Sequence, residues 1–255
     1  MAFINYTNKK IAIKIVYYGP GLSGKTTNLR YIFTKIDPQS RGDFICLETD
    51  AERTYFFDLL PIKAGLIGDF QAHFSLMTVP GQVFYEASRR SVLKGADGVV
   101  FVADSQVPLL DSNLESFDGM RKNLLAFNLD LNTIPLVFQY NKRDLDNLIP
   151  LETFNNLLNP NGRPFIEASA INGVGVFETL REIAKVSVPL VKEKVMGEEK
   201  GPAVTEDKQV GVEFVSNKKL SPMQFTKLKL ETRDEVDENV EKLTRKVTSG
   251  EDHPE

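Results

Sequence analysis

Between residue 11 and about residue 192, short apolar runs alternate with stretches whose apolar residues recur every three to four positions. Six runs read as strands: Ile11–Tyr18, Phe44–Thr49, Phe74–Val79, Gly98–Asp104, Ile134–Asn141 and Pro164–Ala168. Those from Gly98 and Ile134 are nearly all apolar, as strands buried on both faces must be. Between them Leu114, Phe117, Leu124, Leu125 and Phe127 fall at helical spacing, with Asp111 or Ser112 as N-cap. Further helices are expected over Thr27–Ile36 and Val174–Val195. The latter carries Val176, Leu180, Ile183, Ala184 and Ser187 on one face, with Pro189 bending or fraying it. The alternation predicts an α/β domain, a mostly parallel six-stranded sheet with helices on both faces.

The pattern breaks near Gly197. Glu198 to Pro202 has the composition of a linker, Val210–Val215 suits a short strand, and Ser221-Pro222 suits a helix start. Farther on, Val236, Val240, Leu243 and Val247 form a short heptad-like seam flanked by Glu238/Lys242 and Glu241/Arg245. Docking on the domain, pairing with a partner helix and remaining exposed are all open to it. The expected organisation is a domain over 1–196 and a charged extension over 197–255.

Charge sharpens this division. The net charge is −4, and residues 197–255 carry all of it, with 10 Lys/Arg against 14 Asp/Glu. Residues 1–196 balance, so no basic surface points to nucleic acid. Cys46 is the one cysteine, which excludes an internal disulfide and fits the reducing cytosol. Membrane-spanning runs, a signal-peptide profile and lipidation signals are absent, so no direct membrane anchor is expected. His73 and His253 have no neighbouring grouping that resembles a metal site.

The chemistry is carried by three motifs at strand ends. Gly19-Pro20-Gly21-Leu22-Ser23-Gly24-Lys25-Thr26 matches G-x-x-x-x-G-K-[ST] between a strand and a helix that opens with Thr27. Its glycines let backbone N–H groups converge on an anion at a helix start. Lys25 can reach the β- and γ-phosphates, and the Thr26 hydroxyl can hold Mg²⁺. The second motif, Asn141-Lys142-Arg143-Asp144, ends a core strand. The Asp144 carboxylate can accept from guanine N1–H and N2–H₂, a pattern that adenine lacks, while Lys142 packs along the base and Asn141 braces the loop. This disfavours an ATP-using enzyme. The third, Glu167-Ala168-Ser169-Ala170, can present the N–H groups of Ser169 and Ala170 to guanine O6.

Thr78-Val79-Pro80-Gly81-Gln82 ends another strand, where Ras-like GTPases read D-x-x-G-Q. With Phe3-Ile4-Asn5-Tyr6, Arg53-Thr54, Phe56-Phe57-Asp58, Gln82-Val83-Phe84-Tyr85 and Val102-Ala103-Asp104-Ser105, this stretch closely resembles the MglA-type bacterial Ras-like small GTPases from about residue 2 to 193. The resemblance implies a Ras-like P-loop fold and a GTPase that uses Mg²⁺ and cycles between GTP and GDP. It also implies that Thr54 coordinates Mg²⁺ and contacts the γ-phosphate, that Gly81 senses that phosphate, that Arg53 is an arginine finger supplied in cis, and that Gln82 positions water. Thr78 replaces an aspartate, which removes a charge from around the metal.

Members of the family act as switches of cell polarity and motility with a slow intrinsic rate. They are stimulated by MglB, a Roadblock-type partner that orders the switches, and the GTP form recruits effectors at a cell pole. Tyr55, Phe56, Phe84 and Tyr85 are then candidates for the partner face, and Phe57 for the core. The alternative is a GTP-binding scaffold with negligible hydrolysis, in which Thr78 has cost the site its metal geometry.

Overall fold

The computed structural model describes residues 3–46, 57–81 and 86–198. Its strands are β1 (Phe3–Asn5), β2 (Lys10–Tyr18), β3 (Ile45–Cys46), β4 (Asp58–Ile67), β5 (Phe70–Thr78), β6 (Gly98–Asp104), β7 (Leu136–Asn141) and β8 (Phe165–Glu167). Its α-helices are α1 (Lys25–Lys35), α2 (Glu86–Leu93), α3 (Leu110–Leu125), α4 (Leu151–Leu157) and α5 (Val176–Glu198).

One sheet runs β3-β4-β5-β2-β6-β7-β8, and β1 also pairs with β2. The pairings from β5 through β8 are parallel, while β1, β3 and β4 join antiparallel. The α/β class and the parallel centre are as the pattern predicted. The six-stranded count needs correction: among the described residues the sheet has eight strands.

The largest difference is β4, ten residues that the pattern did not predict. It contains Pro61 and Gly65, both of which read as strand breakers. Neither breaks it, because β4 lies near the sheet's flank, where β5 pairs along its length and β3 and Arg41 meet only part of its other edge. Pro61, which has no N–H, accepts from the Gly42 amide at 2.8 Å, and the register shifts between Lys63 and Gly65, where the glycine takes φ +96°. The strand expected over Phe44–Thr49 is two residues, β3, as far as Cys46, and the remainder lies outside the described residues. Strand β1 forms a hairpin with β2, where Asn5 Oδ1 accepts from the Asn8 amide at 2.9 Å.

The two faces of the sheet are covered by different helices. On β2, Ile11, Ile13, Ile15 and Tyr17 face a core shared with Leu29 and Ile32 of α1 and Ile183 and Val191 of α5. Val16 and Tyr18 face the opposite core with Val92 and Leu93 of α2, Met120 and Leu124 of α3, and Phe154 of α4. This alternation is the period of two expected of a strand buried on both sides. Phe57 packs against the second core, as expected.

Two helix ends differ from the pattern. Leu109 precedes α3 at the end of a 3₁₀ turn over Val107–Leu109, and makes no side-chain cap, so neither Asp111 nor Ser112 is the N-cap. Helix α5 passes through Pro189 and reaches Glu198, two residues beyond the expected domain boundary. Among the described residues no helix is long and apolar enough to cross a membrane. The readings for 199–255 lie outside the described residues.

Candidate nucleotide-binding site

The carboxyl ends of β2, β5, β6 and β7 converge on one rim of the sheet, and the motif loops leave from there, where open α/β sheets bind ligands. After Tyr18 the chain turns through Gly19–Gly24 into α1. Gly24 is the N-cap, with φ +99°, and a Cβ there would sit 2.2 Å from Asn141 Nδ2. Only glycine permits both the backbone and the approach. Leu22 points outward at 78 % exposure, while Ser23 is buried with no hydrogen-bond partner for its Oγ.

Lys25 is buried, and its ammonium donates to the carbonyls of Gly19 at 3.0 Å and Pro20 at 2.6 Å. Burial lowers its pKa to about 7; the Asp58 carboxylate opposes the shift and Arg89 adds to it. An anion seated in the loop would restore the charge. A cavity of about 1160 Å³ opens beside this lysine, lined by Gly21, Lys25, Thr26, Thr27, Gly81 and side chains of α3. Gly81 lies against the phosphate loop so closely that a Cβ on it would be 2.4 Å from Gly21 Cα.

Sequence reasoning did not assign Asp58. It is fully buried on β4, opposite the end of β5. Its Oδ2 accepts from Thr26 Oγ1 at 2.6 Å and from Thr78 Oγ1 at 2.8 Å, and its amide donates to Thr78 Oγ1 at 2.9 Å. The other carboxylate oxygen, Oδ1, is buried without a hydrogen-bond partner. The charge expected to be missing at Thr78 is therefore present, one strand over. An orphaned carboxylate oxygen beside the Thr26 hydroxyl suits a hard cation that takes oxygen ligands and keeps its waters. The residues fit Mg²⁺.

At the other end, Asn141 closes β7. Its Nδ2 donates to Ser23 O at 2.7 Å, and its Oδ1 accepts from the Ala170 amide at 2.8 Å. One side chain thus spans the phosphate loop and the 169–175 loop, the bracing role read from the sequence. Lys142 has φ +68°, and its ammonium pairs with the buried Asp104 at 2.6 Å, a second carboxylate that the sequence did not reveal. Asp144 is exposed at the rim. Ser169 and Ala170 are buried, but their amides are engaged within the protein: Ala170 N–H on Asn141, and Ser169 N–H on Val174 O at 3.0 Å. Arg53, Thr54 and Gln82 lie outside the described residues, as do Tyr55, Phe56, Phe84 and Tyr85.

No protein-family model matches the chain. It is 52 % identical over 192 residues to the "Mutual gliding-motility protein MglA" of Myxococcus xanthus (strain DK1622), covering 75 % of this chain and 98 % of that protein. The chain belongs to the MglA family of small GTPases. The match takes in nearly the whole of MglA, so a quarter of this chain has no counterpart there. Thr78 in place of an acid and Asp58 across from it make one arrangement in this MglA-type site.

Proposed function

We propose that this protein is a GTP-driven switch of bacterial cell polarity or motility, and that it hydrolyses GTP to GDP and phosphate. The observation that carries the reading is Asn141, which ties the phosphate loop at Ser23 to the base loop at Ala170 within one side chain's reach. Gly19, Gly21, Leu22, Ser23, Gly24, Lys25, Thr26 and Thr27 surround the phosphates, with Lys25 charged beneath them. Asn141, Lys142, Asp144, Ser169 and Ala170 form the base site, where the Asp144 carboxylate selects guanine. Thr26 and Thr54 would hold Mg²⁺, with the Asp58 carboxylate beside Thr26 offsetting the ion's charge. When bound, the ion neutralises charge on the phosphate oxygens. Gly81 senses the terminal phosphate, Gln82 positions the attacking water, and Arg53 stabilises charge on the transferred group.

Intrinsic turnover is slow, and an MglB-like Roadblock protein accelerates it by ordering the segments around Arg53 and Gln82. The GTP form then engages polarity or motility effectors at a cell pole. The GTPase domain runs to the end of α5 at Glu198, and the residues beyond it are a charged extension. Asp58 supports hydrolysis over the scaffold reading, because that reading rested on a missing charge near the metal. Single-turnover GTP hydrolysis with and without an MglB-like protein tests the proposal. Acceleration is expected for the wild type and loss of it for Arg53→Ala and Gln82→Leu. Identical rates in all three, with or without partner, would refute it.

A further inference from the structure

Beneath the brace lies a second polar connection with no place in the motifs. Asn28 of α1, Gln139 of β7 and Thr179 of α5 are all fully buried. Asn28 Nδ2 donates to Gln139 Oε1 at 2.8 Å, while Gln139 Nε2 donates to Asn28 Oδ1 and to Thr179 Oγ1, each at 2.9 Å. The outer ends match each other. Asn28 donates through both its amide and its Nδ2 to Gly24 O, each at 3.0 Å. Thr179 donates through its amide at 3.0 Å and its hydroxyl at 2.6 Å to Gly175 O. Gly24 and Gly175 are the left-handed glycines immediately before α1 and α5. The network therefore joins the residue that ends the phosphate loop to the residue that ends the base loop.

Its donor accounting closes. Both hydrogens of each amide and the threonine hydroxyl hydrogen have acceptors, so nothing in the trio is left unpaired. Stability alone does not call for it, since apolar side chains of the same shape would fill the space about as well. What a directional network adds is fixed geometry between its ends. Gln139 and Asn141 are two apart on β7 and so share a face, giving one strand two rungs between the same two loops. Asn141 touches the loops themselves, and Gln139 holds their anchors.

We propose that Asn28, Gln139 and Thr179 act as positioning residues that couple the two ends of the nucleotide site, so that filling the phosphate loop orders the base loop. The inference rests on the nucleotide-site reading above.

Thr179 allows the sharpest test. Thr179→Val keeps the shape and removes the hydroxyl, whereas Thr179→Ser keeps the hydroxyl and loses a methyl. Release of fluorescent N-methylanthraniloyl-GDP and thermal melting are measured on the full-length chain. We expect the valine variant to release nucleotide roughly tenfold faster than wild type. The serine variant should release at the wild-type rate even though it melts lower. Release that simply tracks melting temperature, with serine as fast as valine, overturns the coupling. Hydrogen exchange supplies a wild-type measurement that does not depend on the valine variant folding. Mg²⁺-pyrophosphate, which has no base, should slow exchange of the 169–175 amides in wild type and not in Thr179→Val. No slowing in wild type overturns the proposal. If wild type fails to bind the fluorescent GDP, or Asp144→Ala binds it unchanged, the nucleotide-site reading itself has failed.

Discussion

Thr78 and Asp58 form a closed ring: the Thr78 hydroxyl donates to Asp58 Oδ2 at 2.8 Å and accepts from the Asp58 amide at 2.9 Å. The same carboxylate oxygen accepts from Thr26 at 2.6 Å, so strands β4 and β5 meet the phosphate loop at one atom. A carboxylate on the neighbouring strand thereby stands where a strand-end aspartate was expected. Asp58→Asn keeps the size and removes the charge. It should weaken Mg²⁺ affinity by about 10–100-fold, the usual cost of losing an outer-shell partner. GDP release measured in Mg²⁺ should quicken toward the rate in excess chelator, and release in chelator should barely change. An unchanged Mg²⁺ titration would remove Asp58 from the metal's surroundings.

Lys25 gives the site a pH signature. Its pKa in the nucleotide-free protein is about 7, lowered from 10.5 by burial. Between those values the unfolded chain keeps a proton that the folded chain has lost, so raising pH favours the folded form. Stability of the nucleotide-free protein should therefore increase from about pH 7 toward pH 10. Nucleotide binding runs the other way, because phosphates recharge the lysine. Affinity for GDP should be greatest below pH 7 and fall above it, by at most about tenfold per pH unit. Calorimetry in buffers of different ionisation enthalpy at pH 8 should register proton uptake on binding; none would mean that the lysine stays charged throughout.

Asn141 makes its two contacts with opposite ends of one amide, so its variants separate them. Asn141→Ala orphans both Ser23 O and the Ala170 amide, each worth about 1–3 kcal/mol when buried. Nucleotide affinity and melting temperature should both fall. Asn141→Asp retains an acceptor for Ala170 N–H but sets a buried carboxylate oxygen against Ser23 O, so at neutral pH its melting temperature should fall at least as far as that of alanine. Differential scanning calorimetry and GDP titration of the three proteins check the order.

Local chemistry made much of the site legible. A glycine-rich run between strand and helix announces itself through the backbone freedom it needs, and Asn141 follows from its place at the end of an apolar strand. Asp58, Asp104, Asn28, Gln139 and Thr179 were not legible in the same way. Each acts through a partner across the sheet or on another helix, 20 to 111 positions away for the Asp58–Thr78 and Asn28–Gln139 pairs, and nothing in its own neighbourhood marks it. Gln139 even reads as a stray polar residue within an apolar strand. Strand β4 was hidden by Pro61 and Gly65, and β1 by its shortness.

Those two interruptions in β4 have a bearing on solubility. A long strand near the outside of a sheet is ordinarily a template on which other chains can grow. Here β3, Arg41 and Gly42 already occupy part of the outer edge between Asp58 and Ile62, Pro61 offers no amide there, and farther on a charge at Lys63 and a kink at Gly65 interrupt the row. What disguises the strand from a pattern reader also disguises it from stray strands of other molecules.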